Sequence, residues 1–217
     1  HLCRKCAKCT MDEATCPTRA LKLYGKPMSM DDIVAKALED KAFYDESGGG
    51  VTLSGGEPFM QREFAAEILR LCHEQKIHTC LDTSGCVDAE RCEQVLAHTD
   101  RVLLDIKYTE AALYEKHVGC KMQQVISFLQ YLNRENIPVT LRQVIIPTLN
   151  DTEENVLRLL EIARQYPCVD KIELLPFRKI CQTKYDMMGI AFPFGHLPEP
   201  DPGRMDELRQ LLGRYGG

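Results

Sequence analysis

Two groups of residues in this 217-residue chain have the types and spacing to do chemistry. The first is the run Gly48-Gly49-Gly50-Val51-Thr52-Leu53-Ser54-Gly55-Gly56-Glu57-Pro58. Its short apolar run, Val51 to Leu53, ends in a glycine pair and a lone carboxylate. Glycines leave the backbone bare, so Gly55 and Gly56 let a ligand approach the main chain closely. The Glu57 carboxylate suits a positively charged ligand group such as an amine. Taken alone, Gly-Gly-Glu also reads as a plain strand-to-helix turn with a surface glutamate. The second group is Cys3, Cys6 and Cys9, with two residues between successive cysteines, followed after six residues by Cys16-Pro17.

Thiolates at the second spacing can wrap a cubane iron–sulfur cluster, because each two-residue gap turns the chain back toward the same iron core. The proline after Cys16 matches the bacterial iron–sulfur run, although the usual gap before Cys-Pro is about three residues. Cys3, Cys6 and Cys9 form the surest set, and Cys16 is either their fourth ligand or a partner to another cluster. Zinc held by four thiolates is the structural alternative. The other cysteines, Cys72, Cys80, Cys86, Cys92, Cys120, Cys168 and Cys181, are scattered and read as small buried or half-buried thiols. Eleven cysteines, an odd number without regular spacing, do not suggest a disulfide framework. A reducing, cytoplasmic setting fits them better.

The elements that must position these residues follow from periodicity. Val51 onward, strand and helix patterns alternate. Strands are expected at 51–54, 77–82, 101–106, 138–146 and 169–175, and helices near 61–75, 88–97, 109–116, 121–135, 152–165 and 204–213. A further helix starts at the N-cap Ser29, with Asp31 and Asp32 in its first turn, and runs to about Tyr44. Asn150-Asp151-Thr152 reads as a helix start. The proline-rich stretch 192–203 reads as an irregular connection. Such alternation implies a parallel sheet with right-handed crossovers, and ligands bind at the C-terminal ends of such strands. A net charge of −5 argues against a nucleic-acid surface, and no apolar run is long enough to span a bilayer.

Residues at the other strand ends add to the pattern. The strand 77–82 runs into Asp82-Thr83-Ser84-Gly85, which alone reads as a turn. The strand 101–106 runs into Asp105-Ile106-Lys107, whose two charges share one face. They read equally as a structural ion pair or as ligand contacts. Arg142 lies in an apolar strand, where the plain reading is a rim charge. The remaining histidines, His73, His78, His98, His117 and His196, show no ligand spacing and read as surface or turn residues.

Together, Ser-Gly-Gly-Glu-Pro after a triple glycine, the upstream cysteines, Asp-Thr-Ser-Gly and Asp-x-Lys resemble the radical S-adenosylmethionine enzymes. The resemblance is closest to the activating enzymes of glycyl radical enzymes, typified by pyruvate formate-lyase activating enzyme. It covers nearly the whole chain and is most specific over 42–107. It implies an α/β fold, an open (β/α)6 partial barrel. Only five of its strands are legible here, so the first is expected to be missing. Residues 1–27 look like the end of a ferredoxin-like iron–sulfur insert, and 28–217 like the partial barrel. The family's usual Cys-x3-Cys-x2-Cys triplet, which leaves one iron open to the cofactor, does not occur in the sequence. The chain is therefore expected to be N-terminally truncated, and inactive by itself.

The resemblance also implies roles. Gly55, Gly56 and Glu57 would hold the amino group of S-adenosylmethionine. Asp82, Thr83, Ser84 and Asp105 would lie near its methionine carboxylate, in some relatives with a monovalent cation. Lys107 would contact the cofactor or the substrate backbone, and Arg142 would face the cofactor. Arg178 stands where many relatives carry a histidine that approaches the cofactor; an arginine stays charged and cannot transfer protons near neutral pH. The implied chemistry is reductive cleavage of S-adenosylmethionine by a [4Fe-4S] cluster. The resulting 5′-deoxyadenosyl radical abstracts a glycine hydrogen from a partner glycyl radical enzyme, with flavodoxin or ferredoxin as electron donor. A second, ferredoxin-like cluster would sit on Cys3, Cys6, Cys9 and Cys16. Two rivals stand beside this reading: a radical S-adenosylmethionine enzyme acting on a small molecule or peptide, and a non-catalytic iron–sulfur electron-transfer or binding protein.

Overall fold

The computed structural model describes residues 14–21 and 25–216. Cys3, Cys6 and Cys9 lie outside the described residues.

Five strands form one parallel sheet: β1 (Gly50–Leu53), β2 (His78–Thr83), β3 (Arg101–Asp105), β4 (Val139–Ile145) and β5 (Val169–Pro176). Their spatial order is their chain order, and every neighbouring pair is parallel. Right-handed crossovers between strands laid down in sequence put the connecting helices on the same face. The apolar alternates show which face that is. Leu81, Val102, Leu104, Leu141, Ile172 and Leu174 are buried, and the register sets Leu81 beside Val102 and Leu141 between Leu104 and Ile172. On the other face apolar residues such as Leu103, Val144 and Leu175 mix with polar ones. Asp105, Arg142 and Glu173 form one row across β3, β4 and β5, half-exposed on the concave face. An α/β sheet with one face open is a partial barrel.

The helices that close the core are α3 (Arg62–Glu74), α6 (Met122–Arg134) and α7 (Glu153–Gln165), with α9 (Pro202–Gln210) against β5. Their apolar stripes supply Leu69, Phe128, Leu129, Leu132, Val156, Leu159 and Leu208, all fully buried. Each side chain of this size contributes roughly 1.5–3 kcal/mol on burial. Phe59, just past β1, meets Phe128 edge-on at 5.6 Å, which fastens the first strand end to α6. Among the described residues no helix is long and apolar enough to cross a membrane.

Several expectations need correction. The helix from Ser29 is two helices, α1 (Met30–Glu39) and α2 (Lys41–Ser47), because Asp40 leaves helical geometry at φ −99°, ψ 7°. The capping box at its start is present: the Ser29 hydroxyl accepts from the Asp32 amide at 3.1 Å, and the Asp32 carboxylate accepts from the Ser29 amide at 3.3 Å. The helix read at 88–97 is a 3-10 turn, Ala89–Arg91, followed by a short α4, Glu93–Leu96. The helix expected over 109–116 is α5 (Ala111–Val118), and an unexpected α8 (Gln182–Met188) follows β5. Cys86 and Cys120 are not free thiols: they form a disulfide across 34 residues of sequence. Neither cysteine has a near neighbour in sequence to announce the bond, so spacing arguments pass over it.

Candidate functional site

The C-terminal ends of four adjacent strands meet at one place. From β1 the chain enters Ser54-Gly55-Gly56 and caps the 3-10 turn Pro58–Gln61 with Glu57. Gly55 has φ +138°, a region side chains rarely adopt, so the turn requires glycine there. A Cβ added at Gly55 or Gly56 would meet nothing within 4 Å, so the bare backbone faces open space.

Glu57 is not a loose surface carboxylate. It is half-buried, and protein donors surround it. The Thr83 hydroxyl donates to Oε1 at 2.8 Å; the Ser84 amide and hydroxyl donate to Oε2 at 3.0 and 2.7 Å. The Phe59 amide adds a longer bond of 3.4 Å to Oε1. The exposed-turn reading of this residue is thus wrong, and the three residues Glu57, Thr83 and Ser84 form one unit. Gly85 holds that unit against the core. Its φ is +67°, and a Cβ there would meet Leu104 at 2.6 Å, Val125 at 3.1 Å and Phe128 at 3.3 Å.

Beside this unit lies an ion network. The Arg142 guanidinium donates from Nε to Asp105 at 2.9 Å and from Nη2 to Asp82. Lys107 Nζ donates to the other Asp105 oxygen at 2.5 Å, and the Ser54 hydroxyl donates to the other Asp82 oxygen at 3.0 Å. Arg142 is only 16% exposed, so it is no rim charge. Burial works against its charge, but the Asp105 and Asp82 carboxylates outweigh burial and raise its pKa above the ordinary arginine value. The Asp105–Lys107 ion pair is real, and Arg142 extends it to Asp82.

Two residues that sequence reasoning missed fix Lys107 through its backbone. Its amide donates to the Tyr114 hydroxyl at 3.3 Å, and its carbonyl accepts from Asn150 Nδ2 at 3.4 Å. Asn150 also donates to the Val144 carbonyl at 2.9 Å and accepts from the Ile146 amide at 2.6 Å. Tyr114 is fully buried, and burial pushes its phenol up to about 12. The sequence pattern puts Asn150 within a helix start; the actual N-cap of α7 is Thr152. A buried asparagine just past a strand was the available signal.

Other expected residues stand apart. Arg178 lies two residues beyond β5, exposed, with no ion pair among the described residues. His117 departs from the surface reading: its ring lies between Tyr108 and Phe194, at 5.4 and 5.8 Å. Cys16 is half-exposed and unbonded to other cysteines. The Thr18 hydroxyl, 3.6 Å from its sulfur, and then the Ala20 and Leu21 backbone hold its pKa down at about 7, which favours the thiolate a metal requires. Among the described residues no cluster of three or more metal-ligating side chains occurs.

The site therefore holds three carboxylates, Glu57, Asp82 and Asp105, against two cations, Lys107 and Arg142. One negative charge is in excess beside a bare backbone edge. That composition fits a zwitterionic ligand with net positive charge, such as a sulfonium amino acid.

Comparisons with known proteins show the family. The sequence signature of the Radical SAM superfamily matches residues 4–160. Pyruvate formate-lyase-activating enzyme of Clostridium pasteurianum is 37% identical over 188 residues, covering 87% of this chain and 79% of that protein. Pyruvate formate-lyase 1-activating enzyme of Escherichia coli (strain K12) is 34% identical over 194 residues, covering 88% and 79%. The crystal structure of a domain of pyruvate-formate lyase-activating enzyme from Bacteroides vulgatus ATCC 8482 shares the fold, with a TM-score of 0.63 at 24% identity over 77% of this chain and 95% of that one. The chain belongs to the radical S-adenosylmethionine superfamily, in the family of activating enzymes represented by these relatives, which works with S-adenosylmethionine and a [4Fe-4S] cluster.

Proposed function

We propose that this protein is the activating enzyme of a glycyl radical enzyme and binds S-adenosylmethionine across the ends of β1 to β4. The observation that carries the reading is the convergence of Gly55-Gly56-Glu57, Asp82-Thr83-Ser84, Asp105, Lys107 and Arg142 from four successive strands, with one negative charge in excess. When bound, S-adenosylmethionine and the reduced [4Fe-4S] cluster supply the one-electron chemistry that removes a hydrogen atom from a glycine of the partner.

The chain's own residues orient and hold. Gly55 and Gly56 offer backbone groups at close approach, and Glu57 supplies the carboxylate for the ammonium group. Thr83 and Ser84 already donate to that carboxylate, so they set its orientation before a ligand arrives. Arg142 and Lys107 counter Asp82 and Asp105 and can turn a donor toward a ligand carboxylate. A monovalent cation beside the two aspartates belongs to this proposal only if Arg142 swings toward the ligand. The resemblance assigns Arg178, exposed two residues beyond β5, an outer contact with the same ligand.

Residues 1–27 are read as a ferredoxin-like segment ahead of the barrel of 28–217, with Cys3, Cys6, Cys9 and Cys16 binding an additional cluster. The thiolate-favouring surroundings of Cys16 support that reading. The family resemblance implies flavodoxin or ferredoxin as donor, and the scattered cysteines fit a reducing, cytoplasmic setting. Loss of iron and sulfide in the Cys3→Ala, Cys6→Ala, Cys9→Ala variant tests the segment.

The function is tested with the protein reconstituted without oxygen and given S-adenosylmethionine, a strong reductant and pyruvate formate-lyase. A glycyl radical signal in electron paramagnetic resonance is the expected result. Turnover of S-adenosylmethionine with no radical on any glycyl radical enzyme tried would favour action on a small molecule or peptide.

A further inference from the structure

The disulfide between Cys86 and Cys120 lies outside the ligand-contacting set, yet it joins the supports of two of its members. Cys86 follows the Thr83-Ser84-Gly85 turn, and its own amide donates to the Ser84 hydroxyl at 3.3 Å. That hydroxyl is the one that donates to Glu57. Cys120 follows Gly119, the left-handed residue that ends α5. α5 carries Tyr114, whose hydroxyl accepts the Lys107 amide. The bond thus ties the Glu57 support to the Lys107 support, with Cα atoms 6.4 Å apart. Both cysteines are half-buried, so neither is sealed from reagents.

Disulfides are rare where the cell is reducing, and those that occur there are mostly catalytic or redox-sensing. A protein that works with a strong one-electron reductant belongs to such a setting, so a permanent staple at its ligand pocket needs a reason. The state of Glu57 supplies one. With the bond formed, Thr83, Ser84 and, at 3.4 Å, the Phe59 amide occupy the roughly four acceptor positions of the carboxylate, so a ligand ammonium must displace one of them. Gly85 pins the middle of the turn to the core, and the Cys86 tether restrains its far end, beside Ser84.

We propose that Cys86 and Cys120 form a reversible thiol–disulfide couple that locks Glu57 onto Ser84 when oxidised and releases it for a cationic ligand when reduced. This goes beyond the function proposed above but rests on it for the ligand. In the oxidising direction one protein thiolate attacks an external disulfide, such as oxidised glutathione, and expels one thiol. The second protein thiolate then attacks the mixed disulfide and expels the other. Two protein S–H bonds become one S–S bond, and the electron pair and protons leave on two glutathione thiols. Reduction runs the same steps backward.

The test uses the reconstituted full protein in anaerobic buffers of graded reduced-to-oxidised glutathione ratio. Alkylation read by mass spectrometry should modify Cys86 and Cys120 together in reducing buffer and neither in oxidising buffer. Hydrogen exchange at the Ser84 amide should quicken at least tenfold on reduction, with β4 amides as an unchanged control. The Cys86→Ser, Cys120→Ser double variant should behave as the reduced form in every buffer. S-adenosylmethionine should bind the reduced form several-fold more tightly. Independent alkylation of the two thiols, or Ser84 exchange that ignores the buffer, overturns the couple. Faster Ser84 exchange with unchanged affinity upholds the couple and counts instead against Glu57 as a ligand group.

Discussion

The concave face carries an ion cluster at each end of the sheet, and the two are built differently. At the N-terminal end, Arg101 meets Asp170 through two parallel bonds of 2.7 and 2.6 Å and adds Thr140 at 3.0 Å. One cation faces one anion, both forks are used, and the pair is balanced. At the C-terminal end, Arg142 is shared by Asp82 and Asp105, Lys107 leans on Asp105, and Glu57 adds a further anion. A matched fork–fork pair has nothing left to offer. A shared guanidinium between two carboxylates has alternatives, so a ligand can enter by exchanging partners rather than by breaking a closed set. The difference separates a structural brace from a binding site on the same sheet, with the same residue types.

The contrast breaks most visibly at Arg142. Arg142→Ala leaves two half-buried carboxylates near each other, and breaking such a pair costs about 3 kcal/mol. Urea unfolding should show that loss, and S-adenosylmethionine binding should fall by more than about tenfold, which is ~1.4 kcal/mol. Arg142→Lys should restore little, because an ammonium cannot span both partners. A stable Arg142→Ala protein would mean that the upper cluster is as dispensable as a surface pair. Glu57→Ala comes next. It strands the Ser84 and Thr83 donors, so a loss of roughly 1–3 kcal/mol in stability should accompany about tenfold weaker ligand binding. A sequence-only view of Glu57 as a loop carboxylate leaves the stability term out. Gly56→Val separates the two effects: with open space around it, stability should move by less than about 0.5 kcal/mol while isothermal titration shows weaker binding.

Asp170→Asn should do least. Both partners of that pair are about a third exposed or more, so the expected loss is at most ~1 kcal/mol, and ligand binding should not change. Arg101 holds the Asp170 carboxyl below its ordinary pKa. A group lowered in the folded state contributes stability above its unfolded pKa, about 3.9, and loses it as pH falls through the lower folded value. Acid titration of the variant should therefore show a shallower fall in stability below about pH 4. An equal fall in both proteins would show that the brace does not act as a charge pair.

Much of the sheet was legible because β-branched and apolar runs alternate with helical patterns, and strand ends carried polar residues of telling types. Asp105 and Lys107 could be placed on one face from their spacing. Their meeting with Arg142 and Asp82 was not legible, since it depends on the register of β2, β3 and β4, which no local pattern states. The same holds for Glu57 and Ser84, 27 residues apart, and for Cys86 and Cys120. Asn150 hid inside a convincing helix start because asparagine serves both purposes. The break at Asp40 went unseen because helical residues flank it on both sides.

Gly85 has one more consequence. The turn that orients Glu57 rests directly on Leu104, Val125 and Phe128, with no room for even a methyl group between them. The position of Ser84 is therefore inherited from how α6 seats on β3. A cavity opened at Phe128, a core residue beneath the turn, would let the turn sink toward the core and shift Ser84 relative to the carboxylate. Affinity for the ligand would then report on helix packing, and a screen for altered binding would recover core residues of α6 alongside the residues of the pocket itself.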